Sequence, residues 1–380
     1  MDTLLSKIDS PEDLKLLKLK QLPQLCEEIR EFLIENAAIN GGHFGSSLGV
    51  VELTVALHYV FDTPNDKLIW DVGHQAYVHK ILTGRRNEFH TNRKKDGLCG
   101  FTKQSESPYD AFVAGHASIS VSAALGMATA AKLQKKNHKH IAIIGDGALT
   151  GGIAYEGLNN AGDSDTDLLV IVNDNQISID PNVGATTKML TNISTSRPFN
   201  KLRNSLKSWL QHGGKYGRKI DNKARTLEKS IKNLVFSHGN FFESLDFRYF
   251  GPLDGHNVIK TVHILQDIKN YPGPKILHCL TTKGKGFDPA EKEQVKWHAT
   301  TGFDRDKTQA PQAAQEEEFT KYQDVFGQTL VELAEKDEQI INLNLTIEKL
   351  TKLNSESKSE LNKLKLNQSN NLENNESNLI

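Results

Sequence analysis

Short, unbroken apolar runs alternate with helix-period stripes along most of the chain, and that alternation predicts the fold class. His140-Ile-Ala-Ile-Ile144 and Leu168-Leu-Val-Ile-Val172 read as strands buried on both faces. Gly151 to Gly162 between them reads as a helix, so the segment is predicted to be one βαβ unit with parallel strands. Upstream, Leu14 to Asn40 reads as an amphipathic helix ending at Gly41-Gly42. Ser47 to Phe61 reads as a second helix, closed by Thr63-Pro64-Asn65, and Lys67-Leu-Ile-Trp70 as a short strand. Ala114 to Lys132, rich in Ala, Ser and Gly, fits a helix packed tightly on a sheet. Alternation returns from Phe236, with Lys275-Ile-Leu-His-Cys-Leu280 as the last strand. The expected fold is α/β, a doubly wound, mostly parallel sheet with helices on both faces.

Each strand of the central unit runs into a polar triplet, Gly145-Asp146-Gly147 and Asn173-Asp174-Asn175. In open α/β sheets, ligands bind in the crevice beyond the carboxyl ends of the strands, where both triplets fall. A carboxylate and an amide oxygen there, beside glycines that let backbone approach closely, suit Mg²⁺ carrying a diphosphate. A dinucleotide-binding turn is the rival reading. It is opposed by Thr150 at the third glycine position and by the negative charge of Asp146 against a pyrophosphate. A solvated turn with no ligand is the bland alternative, weakened by the second triplet at the neighbouring strand end.

Composition changes the picture in two places. Lys188 to Lys232 holds twelve Lys or Arg against two acidic residues, which raises a nucleic-acid interface. Aromatic residues are few there and no recognition motif is present, so a solvated helical excursion or a cover over an anionic site is preferred. From Ile341 the chain is largely Asn, Leu, Lys, Ser and Glu, without Gly, Pro, Ala, Val or aromatic residues. Such material cannot build a core, and disorder is expected from Gln368. A coiled-coil reading of Leu343, Ile347, Leu350 and Leu364 is interrupted at Ser357.

The whole-chain figures set bounds. A length of 380 residues allows about two domains. A net charge of -1 gives no global reason for nucleic acid or an anionic membrane as partner. No apolar stretch approaches a membrane span, and Met1-Asp-Thr-Leu-Leu-Ser lacks a secretory start. Cys26, Cys99 and Cys279 are far apart without metal spacing, as expected of reduced thiols in a cytoplasmic protein.

Six blocks carry a resemblance. They are His43-Phe-Gly-Ser-Ser-Leu-Gly49, Ile69-Trp-Asp-Val-Gly-His-Gln-Ala-Tyr77, Lys80-Ile-Leu-Thr-Gly-Arg-Arg86, Ile144-Gly-Asp-Gly-Ala148, Gly251-Pro-Leu-Asp-Gly-His256 and Lys283-Gly-Lys-Gly-Phe-Asp-Pro-Ala-Glu291. Over about residues 1 to 340 the chain resembles the 1-deoxy-D-xylulose-5-phosphate synthases, thiamine-diphosphate enzymes related to transketolase. The resemblance implies condensation of pyruvate with D-glyceraldehyde 3-phosphate, releasing CO2, for isoprenoid, thiamine and pyridoxal synthesis. It implies that Asp146, Asn175 and the Ile177 carbonyl hold Mg²⁺, and that His74, Gly115, His116, Ala117, Gly147, Ala148, Asn175 and Phe287 contact thiamine diphosphate. Ala117 and Phe287 stand where serine and tyrosine are commoner, so those hydroxyls are missing. His43 and His298 match histidines lining the reaction centre, where imidazoles can protonate or hydrogen-bond developing alkoxides. Lys283 and Lys285, each followed by a glycine, face either a phosphate or solvent.

The resemblance also orders the chain. Residues 1–303 are expected to form the Mg²⁺- and diphosphate-binding domain, 304–320 a linker, 321–340 the start of a pyrimidine-binding domain, and 341–380 a non-family tail. The glutamate that activates the cofactor belongs to the pyrimidine domain in this family. None of Glu332, Glu335, Glu338 or Glu348 stands in its context. The expectation is therefore a truncated member, inactive alone. The alternatives are one half of a split enzyme and a non-catalytic cofactor-binding module. The homodimeric assembly of the family is left open for this chain.

Overall fold

The computed structural model describes residues 3–113, 115–178, 181–195, 241–305 and 322–376. The chain divides into two compact units, Met1–Gln312 and Ala313–Ile380.

The predicted helix from Leu14 to Asn40 is two helices, α1 (Pro11–Lys15) and α2 (Leu22–Asn40). A capping box between Ser10 and Asp13 starts the first early, and Pro23, lacking an N–H, is suited to the first turn of a new helix. The next predicted helix is likewise split into α3 (Phe44–Leu48) and α4 (Val51–Val60). At the break, a Cβ on Gly49 would lie 3.1 Å from the Thr282 carbonyl oxygen, so the glycine admits another segment's backbone. Strand β1 (Lys67–Trp70) forms as predicted and is followed by the short α5 (Tyr77–Lys80). Helix α6 (Ser120–Leu133) begins later than predicted. The Asp71 carboxylate accepts the N–H groups of Ser118 at 2.8 Å and Ser120 at 3.0 Å, holding the preceding residues as a turn over the end of β1.

The chain continues through β2 (His140–Gly145), α7 (Gly152–Asp163), β3 (Leu168–Asp174), α8 (Ala185–Thr195) and α9 (Phe241–Ser244). It then runs through β4 (Arg248–Asp254), α10 (Val258–Ile268), β5 (Lys275–Leu280) and α11 (Asp288–Lys292). Among the described residues the sheet has the order β1-β2-β3-β5-β4, and every neighbouring pair is parallel. Side chains alternate strictly between two buried layers. Ile141, Ile143, Ile171 and Leu277 join the layer of α2, α4 and α10, while Ala142, Ile144, Val170 and Val172 join that of α6 and α7. Strands β1, β2 and β3 progress one way through the sheet and β4 to β5 the other. Right-handed crossovers therefore put α10 on the opposite face from α6 and α7. The fold is the expected doubly wound α/β sheet, and its strand ends open toward one edge.

In the second unit, α12 (Tyr322–Lys336) is followed by α13 (Glu338–Glu376). Composition predicts disorder from Gln368, whereas the backbone is helical through Glu376. The segment holds no Gly or Pro to break a helix. Among its described side chains the apolar ones, Leu343, Leu350 and Leu353 included, are exposed. The basic stretch beyond Thr195 as far as Lys232 and most of the expected linker lie outside the described residues.

Candidate functional site

At the end of β2, the Asp146 N–H donates to the Asn173 carbonyl at 3.1 Å, locking the first polar triplet against the second. Asp146 is 5% exposed, and its carboxylate accepts the N–H groups of Gly147 at 2.9 Å and Gln176 at 2.5 Å. The loop beyond β3 is thus folded over the end of β2. Within it, the Asn175 side-chain oxygen accepts the Ile177 N–H at 3.1 Å. Gly147 has to be glycine here, because a Cβ would run into the Ser178 hydroxyl.

A second buried carboxylate, Asp174, faces Asp146. It accepts from His278 Nε2 at 2.8 Å, which leaves His278 Nδ1 to accept the Tyr249 hydroxyl at 2.8 Å. Burial and the Asp174 charge push the Asp146 pKa up to about 7. Two carboxylates at one strand edge therefore favour a cation between the protein and an anionic ligand. Among the described residues, no three His, Cys, Asp or Glu side chains converge as a metal site of their own. One carboxylate, an amide oxygen and a main-chain carbonyl instead fit Mg²⁺ that shares its shell with a diphosphate.

Beside this edge stand three imidazoles. His43 caps α3, with its N–H donating to the Tyr77 hydroxyl at 3.1 Å. Its ring lies 5.7 Å from those of His74 and His298, and the latter two are 6.0 Å apart. The Nδ1 atoms of His43 and His74 are buried without a hydrogen-bond partner. Burial first, and then the neighbouring positive charges, lower His43 and His298 to about 4 and His74 to about 3. The cluster is neutral at physiological pH. The buried Lys283 ammonium donates to His298 Nδ1 at 2.6 Å and to the Ser178 carbonyl. Burial lowers its pKa to about 8, against the pull of Asp146.

Phe101 closes the far side, its ring 5.6 Å from His43. It belongs to a segment fastened by Asp110. Each Asp110 oxygen accepts two hydrogen bonds: Oδ1 from His79 Nε2 at 2.9 Å and Arg85 Nη2 at 2.8 Å, Oδ2 from Arg85 Nη1 at 2.8 Å and the Lys103 N–H at 2.7 Å. His79 Nδ1 must then accept from His58 Nε2 at 2.9 Å, and His58 Nδ1 from the Thr63 hydroxyl at 3.0 Å. Burial opposes ionisation of Asp110, but the His79 and Arg85 hydrogen bonds hold its pKa well below the usual range.

The remaining expected residues are placed less uniformly. Gly115, His116 and Ala117 form an exposed turn, tied to Ala148 where the Ser118 hydroxyl donates to the Ala148 carbonyl at 2.7 Å. Phe287 sits in an aromatic cluster, with ring centroids 5.4 Å from Phe44 and 5.1 Å from Trp297.

The sequence profile of the 1-deoxy-D-xylulose-5-phosphate synthases matches residues 5–281, well over half of the chain. The chain belongs to this family. It is 53% identical over 367 residues to the synthase of Cytophaga hutchinsonii, covering 91% of this chain and 56% of that protein. With the synthase of Chlorobaculum tepidum it shares 50% identity over 356 residues, covering 92% of this chain and 55% of the relative. The chain therefore spans little more than half the length of these relatives. Among solved structures, transketolase from Campylobacter jejuni superposes with a TM-score of 0.54 at 20% identity, covering 75% of this chain and 41% of that one. This places the synthase-family chain in the transketolase fold. No helix of the described residues is long and apolar enough to cross a membrane.

The sequence leaves Lys283 open to a phosphate or to solvent, and the structure buries it beside His298. The roles of Asp174, His278 and Asp110 were not foreseen. The aspartates and histidines stand in the sequence without any sign that they pair, because their partners come from distant segments.

Proposed function

We propose that this chain holds the Mg²⁺ and diphosphate end of thiamine diphosphate in a 1-deoxy-D-xylulose-5-phosphate synthase. The observation that supports this most strongly is the buried Asp146 carboxylate facing Asp174, beneath a loop that offers Asn175 and the Ile177 carbonyl. Asp146, Asn175 and Ile177 would hold the metal, with Gly147 and Ala148 against the diphosphate. His74 and the Gly115-His116-Ala117 turn would contact the cofactor further along. Phe287 would act from within its aromatic cluster. When bound, thiamine diphosphate supplies the carbon nucleophile and the electron sink for decarboxylating pyruvate and joining its two-carbon unit to D-glyceraldehyde 3-phosphate.

The chain's own contribution is to position and to hold protons. Lys283 donates to His298 Nδ1, which puts the imidazole's own proton on Nε2, a donor for a developing alkoxide. Neutral His43 adds a second group able to hold or release a proton in the same cluster. The complete reaction is proposed for a protein of the relatives' full length. The part proposed for these 380 residues is cofactor binding. Titration calorimetry tests the binding. Thiamine diphosphate should bind only with Mg²⁺ present, and Asp146→Ala should abolish the heat. Unchanged affinity in that variant would remove Asp146 from the site.

A further inference from the structure

Thr282 to Lys285 form the turn after β5, and its lysine at position 283 runs inward rather than out. A single carboxylate holds both ends of that turn. Glu52 of α4, 5% exposed, accepts from Arg30 Nη2 at 2.5 Å and from His256 Nδ1 at 3.1 Å. Arg30 Nε donates onward to the Lys285 carbonyl at 2.8 Å. His256 Nε2 accepts the Thr282 N–H at 2.8 Å. Accepting there fixes the imidazole proton on Nδ1, as the contact with Glu52 requires.

The turn has little freedom to adopt another shape. Gly284 and Gly286 have φ of +80° and +83°, and a Cβ on either would strike Ala290 or the Arg30 side chain. The Gly284 N–H donates to the Gly45 carbonyl at 2.8 Å, joining the turn to the helix that begins beside His43. From this frame Lys283 spans to the Ser178 carbonyl, next to Ile177, and to His298.

We infer that Glu52, with Arg30 and His256 as its two arms, is a positioning residue that aims Lys283 across the site. Through the Ser178 carbonyl it steadies the loop presenting Asn175 and Ile177. The inference rests on the assignment of that loop to Mg²⁺ and diphosphate. Glu52 and Arg30 form a buried ion pair, and such a pair is weak evidence of net stability. Glu52→Gln keeps the volume but sets an amide N–H₂ against Arg30 or against the His256 Nδ1 proton, so one arm must let go.

Two readouts on the 380-residue chain test this. The first is acetic anhydride labelling of Lys283 in cofactor-free protein, followed by mass spectrometry. The second is calorimetric affinity for thiamine diphosphate with Mg²⁺, measured in a double-variant cycle with Lys283→Met. Glu52→Gln should raise Lys283 labelling several-fold and weaken binding about tenfold, yet weaken it less than about twofold in the Lys283→Met background. A merely structural Glu52 would lower the melting temperature and leave Lys283 protected. Unchanged labelling in folded Glu52→Gln, or losses of affinity that simply add, would overturn the inference. Should the parent bind no cofactor, the labelling still decides the role of Glu52 toward Lys283, and only the Mg²⁺-diphosphate assignment falls. Should Glu52→Gln fail to fold, His256→Ala, which removes one arm only, is judged by the same labelling result.

Discussion

Replacing Asp110 with Asn tests how the buried network behind Phe101 is held. Each carboxylate oxygen accepts two hydrogen bonds, so an amide nitrogen at either place turns two good contacts into donor against donor. Arg85 would also keep a buried charge with its main partner neutralised. Losing one partner of a buried pair costs about 3–5 kcal/mol. Glu106, 3.6 Å from Arg85 Nη1, takes up part of the charge and puts the expected loss near the lower end, about 3 kcal/mol. Urea unfolding at pH 7, followed by circular dichroism and tryptophan fluorescence, measures it. The pH dependence gives a second check. Asp110 is lowered in the folded state, so its contribution is fully present above the unfolded carboxylate pKa of about 3.9 and is lost as pH falls toward the folded value. The gap between the parent and Asp110→Asn should therefore stay level from pH 8 to about 5 and narrow only below about 4. A loss under about 1 kcal/mol, or a gap that closes near pH 6, would refute the reasoning.

Three further outcomes follow from the same geometry. His43, His74 and His298 have folded pKa values lowered to about 4, 3 and 4, so the unfolded chain takes up protons first as the pH drops below about 6.5. Cofactor-free stability should fall between pH 6.5 and 4, by about 1.4 kcal/mol per pH unit for each histidine that contributes; a flat melting temperature across that window would count against a neutral cluster. Gly286→Ala forces a side chain onto φ +83° and into Arg30, and should lower stability by about 2 kcal/mol in chemical unfolding, whereas Gly273→Ala, with φ +78° but open space, should cost less. Ser10→Ala removes the cap of α1 and should cost about 1 kcal/mol in thermal unfolding.

The central strands were legible because a strand buried on both faces must be apolar at every position, as Ile141 to Ile144 and Leu168 to Val172 are. Helix limits were less so. Gly49 marks a break only because the turn at Thr282 packs against it, and the start of α6 depends on what Asp71 accepts. Asp146 and Asn175 could be found because both terminate apolar strands that the βαβ unit makes neighbours. Lys283 could not, since a lysine in a glycine-rich turn looks the same whether it enters the protein or leaves it. The links from Glu52 to His256 and from His79 to Asp110 join segments that share no local pattern. Only the tertiary fold shows them.

The strand order has a consequence for how the chain folds. Strands β2 and β3 are joined by a single helix and can pair early. The pairing of Leu169 with Lys275 closes a loop of about a hundred residues, a slow, high-contact-order step. Until β5 arrives, the edge of β3 lies open, and neither His278 nor Lys283 has reached the two aspartates. On a ribosome adding about 5–20 residues per second, that interval lasts several seconds. During it, the parallel β2–β3 pair carries an unsatisfied sheet edge, the state most exposed to aggregation and most in need of a chaperone.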